Sequence, residues 1–303
     1  MMVLLEPYLW VFVTVLAVIG QSLRSAIQKR GRDQLGVFGS AFVRFLYGVP
    51  LSFLLLFYIV GWSNIVAVRV DAEFVFWVSL ASLLQILFTV LLGLAFESRN
   101  FMTSIALSKT DALQAAFFEF LLLSFVPDID LVIAIIIGFF AIFFIGYAGP
   151  SGSRKRGSFS GPSVSIGLLA GLCLGSCSVF YRIAMETLPE LTIIEKATFT
   201  GTIAVLIQTL TMGSALMLWR RTELSACLSS WRSSSVAGSI ASITTVLWFI
   251  AFSMMGVAHV RMVGQIEIIF SLLFSLFFFK EKVNQMELLG ACLITLSLAV
   301  LIL

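Results

Sequence analysis

The chain has 303 residues, of which 60% are hydrophobic and only 12% are charged, with a mean hydropathy of +1.07. Soluble domains carry about 25% charged residues, so this composition excludes a soluble globular fold, a disordered chain and a disulfide scaffold. The formal net charge is only +3, and the 19 Lys and Arg residues are scattered between apolar runs, which argues against nucleic-acid binding.

Ten apolar runs, each bounded by charged or turn-forming residues, follow one another along the chain. They cover about residues 8–28, 35–60, 74–96, 100–126, 130–149, 163–185, 192–219, 233–255, 258–279 and 284–303. A membrane-spanning helix needs about 20 apolar residues, whereas a spanning β-barrel needs an alternation of apolar and polar residues that these runs lack. We therefore predict an all-α integral membrane protein with ten transmembrane helices.

A polar segment divides the ten runs into two groups of five. Residues 150–162 are rich in Gly, Ser and Pro and contain three adjacent cations, as is typical of a solvated loop. An odd number of spans in each half gives the two halves opposite orientations in the membrane. In the fourth and the ninth runs, moreover, a cation precedes a Gln at corresponding places. We predict two inverted five-helix repeats, residues 1–149 and 163–303, joined by the linker.

Most basic residues lie on one side of the predicted bundle. The connections and flanks after odd-numbered runs contain Arg24, Lys29, Arg30, Arg32, Arg99, Arg154, Lys155, Arg156, Arg220, Arg221, Arg232, Lys280 and Lys282. An excess of Lys and Arg marks the cytoplasmic side. The sequence therefore predicts that these connections face the cytoplasm and that both termini lie on the other side.

Several charged or strongly polar residues lie inside the apolar runs, where each charge costs about 2.5–3.5 kcal/mol to insert at a helix centre. These residues are Arg44 in the second run, Lys109, Asp111, Gln114 and Glu119 in the fourth, and Arg261, Gln265 and Glu267 in the ninth. At a rise of about 1.5 Å per residue, Gln265 and Glu267 lie near the membrane midplane. Arg261 and Gln265 are four residues apart and would share one helix face.

From this pattern we predict a site for a small zwitterion or an organic anion. The predicted substrate-binding residues are Lys109, Gln114, Arg261, Gln265, Glu267 and Arg44. The predicted candidates for a coupling proton are Glu267, Asp111 and Glu119, because a carboxylate in a low-dielectric cavity can exchange a proton. The alternative is that these charges only pair with one another to hold helices together, and the sequence leaves it open.

Other sequence features bear on packing and on the reaction class. Gly167, Gly171 and Gly175 recur at every fourth position of the sixth run, which favours close approach of a neighbouring helix. No phosphate-binding G-x-x-x-x-G-K-[ST] motif occurs, and His259 is the only histidine, which argues against ATP hydrolysis, a zinc protease or a Ser-His-Asp site. The four cysteines have no metal-binding spacing. We expect no enzyme activity, no cofactor and no metal.

Two segments are similar to those of a known family. Residues 277–294 combine a short Lys-Glu loop with a last helix that contains Gly290, and the second run contains Phe42-Val43-Arg44-Phe45-Leu46. Both segments resemble EamA-type members of the drug/metabolite transporter superfamily, and the five-plus-five arrangement extends the resemblance to the whole chain. The resemblance implies a secondary transporter of a small polar metabolite, an amino acid being one candidate, with a central cavity and alternating access. It also implies export across a bacterial inner membrane.

The alternatives are a flippase for a lipid intermediate, an integral-membrane enzyme and a membrane scaffold without transport activity. The expected partners are a small-molecule substrate, the lipid bilayer and protons as a candidate coupling ion.

Overall fold

A computed structural model of the chain describes residues 8–98, 101–147, 162–280 and 285–302. Within these ranges the regular elements are helices, and no strand occurs. The helices are α1 Leu9–Leu46, α2 Val49–Ile59, α3 Gly61–Ala67, α4 Ala72–Ser98, α5 Phe101–Ser108, α6 Asp111–Leu123, α7 Ile129–Tyr147, α8 Pro162–Glu186, α9 Ile193–Trp219, α10 Arg221–Ser229, α11 Trp231–Met254, α12 Val257–Val263, α13 Glu267–Leu273 and α14 Gln285–Ile302. A 3₁₀ turn at Gly264–Ile266 precedes α13, and a π-helical turn at Phe274–Phe278 follows it.

Some features predicted from the sequence lie outside the residues that the structure describes. The predicted linker lies outside the described residues except for Pro162, which is the first residue of α8. Arg99, Lys282 and the three cations of the linker also lie outside them, as does the Lys-Glu loop from residue 281 onward.

Seven helical segments within the described residues are long and apolar enough to cross a membrane. They are Leu9–Ile59, Ala72–Phe96, Ser165–Glu186, Ile193–Trp219, Trp231–Met254, Val257–Phe278 and Gln285–Ile302. The protein is therefore an all-α, multi-pass membrane protein.

The count differs from the ten predicted runs for three local reasons. The first two runs form one continuous segment, Leu9–Ile59, whose 51 residues would extend about 77 Å as a straight helix, far more than the roughly 30 Å of a bilayer core. The fourth run is divided between α5 and α6. The apolar part of the fifth run, Ile129–Ile145, is shorter than a full span.

A glycine breaks the first segment near the start of the second predicted run. Gly36 has φ +73° and ψ 174° inside α1, a conformation that disfavours residues with a side chain. The carboxylate of Glu223, from α10, accepts a hydrogen bond from the backbone N–H of Gly39 at 2.8 Å. Glu223 thus caps the helix that starts again after the kink.

The contacts divide the chain into two compact units. Unit 1 consists of Met1–Ile86 and Cys177–Met255, and unit 2 of Leu87–Ser176 and Gly256–Leu303. Each unit therefore combines residues from both predicted repeats. The two predicted repeats describe a duplication along the sequence, which is a different property from the compact units. The division into repeats therefore stays a prediction.

Each unit has its own packing. In unit 1, α1 packs along α11 and α2 along α9, and the Thr202 hydroxyl donates to the Ser52 carbonyl at 3.1 Å. In unit 2, α7 packs along α14, where the Ser297 hydroxyl donates to the Ala134 carbonyl at 2.8 Å. The apolar core of unit 2 is formed by Ala106, Ala141, Ile145, Ile268, Ala291, Ile294 and Leu298.

Candidate functional site

Two helix breaks lie in the two segments that the sequence analysis paired. In the fourth run, α5 ends at Ser108 and α6 begins at Asp111, so the turn between them consists of Lys109 and Thr110. In the ninth run, α12 is followed by the 3₁₀ turn Gly264–Ile266, after which α13 begins. Membrane transporters commonly form substrate and ion sites where helices are interrupted, because the breaks leave backbone groups and helix ends available.

An ion pair joins the two breaks. The Nζ atom of Lys109 lies 2.6 Å from Oε2 of Glu267, and the two side chains are 1% and 2% exposed. Lys109 occupies the turn before α6, and Glu267 is the first residue of α13. The cation of one interrupted helix thus neutralises the carboxylate of the other.

A second ion pair joins the same two segments. The Nε atom of Arg261 lies 3.6 Å from Oδ2 of Asp111, with the side chains 5% and 0% exposed. Arg261 is in α12, and Asp111 is the first residue of α6. The four charged side chains of the two pairs, which we call the ion-pair cluster, contain two cations and two carboxylates.

Gln265 connects the cluster to α7. Its Nε2 atom donates to the carbonyl of Lys109 at 3.5 Å and lies 3.2 Å from the sulfur of Met262. Its Oε1 atom lies beside Gly138 of α7, where an added Cβ would come within 2.9 Å of it. These contacts bring Lys109, Gln265 and Glu267 together and join Arg261 to Asp111, whereas their predicted role in binding a substrate stays a prediction.

Three side-chain oxygens in the same two interrupted segments have no hydrogen-bond partner in the described part of the chain. They are Thr110 Oγ1, Gln114 Oε1 and Gln265 Oε1, all buried. Most buried polar atoms in proteins are hydrogen-bonded, and an unmade bond costs about 1–3 kcal/mol. These atoms can therefore accept hydrogen bonds from a ligand at little further cost in desolvation.

The glycines of α8 pack against the first break, as the sequence predicted. A Cβ on Gly171 would overlap the Thr110 hydroxyl and would lie 2.9 Å from the Ser108 carbonyl oxygen. A Cβ on Gly175 would lie 2.6 Å from the carbonyl oxygen of Asp111. Close approach of α8 thus fixes the backbone on both sides of Lys109.

Glu119, a predicted candidate for proton coupling, makes contacts that hold a helix terminus. Its two carboxylate oxygens accept hydrogen bonds from the backbone N–H groups of Val257 and Ala258, at 2.7 and 2.8 Å. These N–H groups belong to the first turn of α12, which has no partners for them within the helix. The geometry therefore gives Glu119 the role of an N-cap for the helix that carries Arg261.

Sequence reasoning missed a contact at the start of the same helix. His259 Nε2 lies 3.1 Å from Oδ2 of Asp128, and the His259 ring makes an edge contact with Phe125 at a centroid distance of 5.9 Å. Asp128 is 131 positions away in the chain. No spacing rule connects residues that far apart, so the sequence carried no signal for this pair.

Arg44 lies in unit 1, apart from the unit that holds the other predicted substrate-binding residues. Its guanidinium is 4.7 Å from the centre of the Phe45 ring, and the residue is 4% exposed.

Unit 1 also contains a buried hydrogen-bonded network that the sequence analysis did not predict. The Tyr181 hydroxyl donates to Gln85 Oε1 at 2.9 Å, and Gln208 Nε2 donates to the same oxygen at 2.6 Å. The sequence feature that could have indicated this network is the presence of two amide side chains, Gln85 and Gln208, inside apolar runs.

Interrupted helices that meet at a polar site are also common in secondary transporters. Residues 161–303 match the model of the EamA-like transporter family. That family is part of the drug/metabolite transporter superfamily, and the resemblance inferred from the sequence is confirmed for residues 161–303.

Comparison of folds extends over nearly the whole chain. One solved structure, described as "Crystal structure of protein", matches with a TM-score of 0.66 and 14% identity, over 96% of this chain and 98% of the other. At this identity the match shows a shared fold. No curated protein matches the sequence significantly.

Proposed function

We propose that the protein is a secondary transporter of a small polar metabolite, an amino acid being one candidate, and that the ion-pair cluster binds the substrate. The family of residues 161–303 supports the transporter class. The observation that carries the choice of site is that Lys109–Glu267 and Arg261–Asp111 are buried ion pairs between two interrupted helices. Burying ions is costly, and uncharged residues would pack as well, so retaining four charges in this place favours a functional role.

The charge balance of the cluster favours a zwitterionic substrate. The substrate carboxylate would take Lys109 and Arg261 as partners while its ammonium group takes Glu267 and Asp111, so every buried charge keeps a partner. A simple anion would leave one negative charge uncompensated in a low-dielectric region. Transport of an anion therefore requires a proton on one of the two carboxylates, which makes Glu267 and Asp111 the proposed coupling residues for that case.

The uncharged polar groups of the site would complete the recognition. Thr110, Gln114 and Gln265 each have a buried side-chain oxygen ready to accept a hydrogen bond from a ligand. Gln114 and Gln265 thus remain in the proposed binding set, and Arg44 stays a proposed substrate-binding residue. Glu119 is proposed to act through α12, whose first turn it caps.

The proposed architecture is ten spans in two inverted repeats, with the cluster near the membrane midplane. The interruptions at Lys109 and at Gly264 occur in the fourth and ninth runs, which correspond in a five-plus-five arrangement. The 51-residue segment Leu9–Ile59, kinked at Gly36, has the length for two spans. Alternating access would follow from rocking of the repeats around the cluster. Export across the inner membrane of a bacterial-type cell is proposed from the resemblance.

The experiment begins with the purified protein. Thermal-shift measurements with amino acids, sugar phosphates and nucleotides identify a stabilising compound, and its radiolabelled form is then followed into proteoliposomes. We expect Arg261→Ala and Glu267→Gln to abolish transport while both proteins still insert in the membrane. Glu186→Gln is the control, because Glu186 is 47% exposed in a peripheral pair with Arg182. Transport at the wild-type rate by Arg261→Ala or Glu267→Gln would remove that residue from the site.

A further inference from the structure

The short helix α10 is fastened to the kink of α1 in unit 1. Glu223 accepts a hydrogen bond from Gly39 N–H at 2.8 Å and forms an ion pair with Arg220 at 2.9 Å. The Cys227 thiol donates to the Gly39 carbonyl at 3.4 Å, and the Tyr47 hydroxyl donates to the Cys227 carbonyl at 3.0 Å. Burial raises the pKa of the Cys227 thiol to about 11, so the thiol keeps its proton for this bond at neutral pH. These contacts hold α10 against the part of α1 that follows the kink at Gly36.

The ends of the adjoining spans place α10 at the membrane surface. The candidate span Ile193–Trp219 ends at a tryptophan that is 79% exposed, and the next span begins at Trp231, which is 56% exposed. Tryptophan is enriched where the hydrocarbon core meets the lipid headgroups. The connection between these two residues, which contains α10, therefore lies at the level of the headgroups.

The two segments that meet here are strongly basic. Residues 29–39 and 219–232 contain six cations, which we call the basic patch: Lys29, Arg30, Arg32, Arg220, Arg221 and Arg232. The same segments contain only two carboxylates, Asp33 and Glu223. Glu223 is already engaged by Gly39 and Arg220, so the patch carries an excess of positive charge.

Apolar side chains are interleaved with these cations. Leu218 is 67% exposed and Leu228 is 57% exposed. The guanidinium of Arg232 lies 5.4 Å from the centre of the Trp231 ring. Exposed apolar groups beside clustered arginines are typical of surfaces that bind anionic lipids, since the apolar groups contact acyl chains while the cations contact headgroups.

We propose that the basic patch binds an anionic phospholipid, such as a phosphatidylglycerol, with its phosphate at Arg221 and Arg232. The acyl chains lie along the exposed faces of Trp219 and Trp231. A free phosphate ion would use the same arginines but would gain nothing from the apolar border, so the lipid is the ligand that fits the whole surface. This site is separate from the ion-pair cluster, and it does not depend on the proposed transport activity.

The test measures lipid binding to the intact, purified protein by native mass spectrometry in detergent. Phosphatidylglycerol, phosphatidylcholine and inorganic phosphate are added in parallel. We expect saturable binding of phosphatidylglycerol and much weaker binding of phosphatidylcholine. Equal binding of the two lipids would overturn the proposal. In a thermal-shift assay, stabilisation by inorganic phosphate equal to that by phosphatidylglycerol would also overturn the proposal, because it would show that the patch binds a phosphate ion rather than a lipid.

Two matched variants locate the site. Arg221→Gln/Arg232→Gln removes two exposed cations from the patch, and we expect phosphatidylglycerol to bind roughly 30-fold more weakly, about fivefold per cation. Arg69→Gln/Lys196→Gln removes two cations that lie outside the patch and should bind like the wild type. An equal loss in both variants would contradict a specific site. Arg221→Lys/Arg232→Lys keeps the charge and should recover most of the binding, which a fold defect would not explain.

Discussion

Replacing Lys109 by methionine removes the cation of the Lys109–Glu267 pair while keeping a long apolar side chain. At the observed separation of 2.6 Å, with both side chains almost fully buried, the attraction is about 6 kcal/mol at an effective dielectric constant of about 20. Much of this offsets the cost of taking both ions out of water. Removing one partner leaves the Glu267 carboxylate buried without its cation, which costs about 3–5 kcal/mol. Lys109→Met is therefore expected to be strongly destabilised.

Thermal unfolding in detergent, followed by tryptophan fluorescence, measures the effect. We expect the Tm of Lys109→Met to fall on the order of 10 °C. The double variant Lys109→Met/Glu267→Leu should regain most of this loss, because it leaves no unpaired charge. Glu186→Gln breaks an exposed pair worth at most about 1 kcal/mol and sets the baseline. If Lys109→Met unfolds at the same temperature as Glu186→Gln, or if the double variant is less stable than the single, the reasoning about the pair is wrong.

Three further substitutions test the local structure by the same unfolding assay. Gly171→Ala should lower the Tm because its Cβ would overlap atoms of the turn before α6. Gly31→Ala is the control: its Cβ would have no neighbour closer than 3.7 Å, so this variant should be as stable as the wild type or gain up to about 1 kcal/mol. Equal Tm values for the two variants would contradict the close packing of α8. Glu119→Gln should cost about 1–3 kcal/mol because an amide nitrogen cannot accept the N–H bonds of α12, and an unchanged Tm would contradict the N-cap. Gly36→Ala should cost at least about 1–2 kcal/mol for its φ of +73° alone, and full stability would show that the kink is not required.

The positions of the helices follow from the apolar runs, and sequence reasoning found most of them. The described parts of the predicted runs are mostly helical, because continuous apolar segments in a bilayer must satisfy their backbone groups internally. The interruptions were harder to predict. Gly36 lies two residues after the polar interval 29–34 that separates the first two predicted runs, whereas the turn at Lys109 and Thr110 lies inside an apolar run without glycine or proline.

The members of the candidate site were predictable, but their partners were not. Charged residues inside apolar runs are conspicuous, which identified Lys109, Asp111, Arg261 and Glu267. The sequence suggested a shared face for Arg261 and Gln265, but a 3₁₀ turn begins between them at Gly264, and Arg261 pairs with Asp111 of another helix. Such pairings depend on how helices pack, which a single sequence does not encode in its spacing.

The compact units could not be predicted from the linker. A polar segment near the midpoint suggests a division of the chain into two halves, and the sequence analysis followed it. The contacts instead group Met1–Ile86 with Cys177–Met255. Burial of apolar helix faces decides which helices pack together, and helices from both halves of the chain can satisfy that requirement in one unit.

The most direct test of the central claim is transport by Lys109→Met/Glu267→Leu, reconstituted beside the wild type with the compound that the thermal-shift screen identifies. The account predicts that this variant folds and inserts but exchanges none of the labelled compound across the vesicle membrane, since the ion pair that the substrate must open is gone. Exchange at the wild-type rate would show that Lys109 and Glu267 only hold the helices together, and the proposed binding site would be wrong.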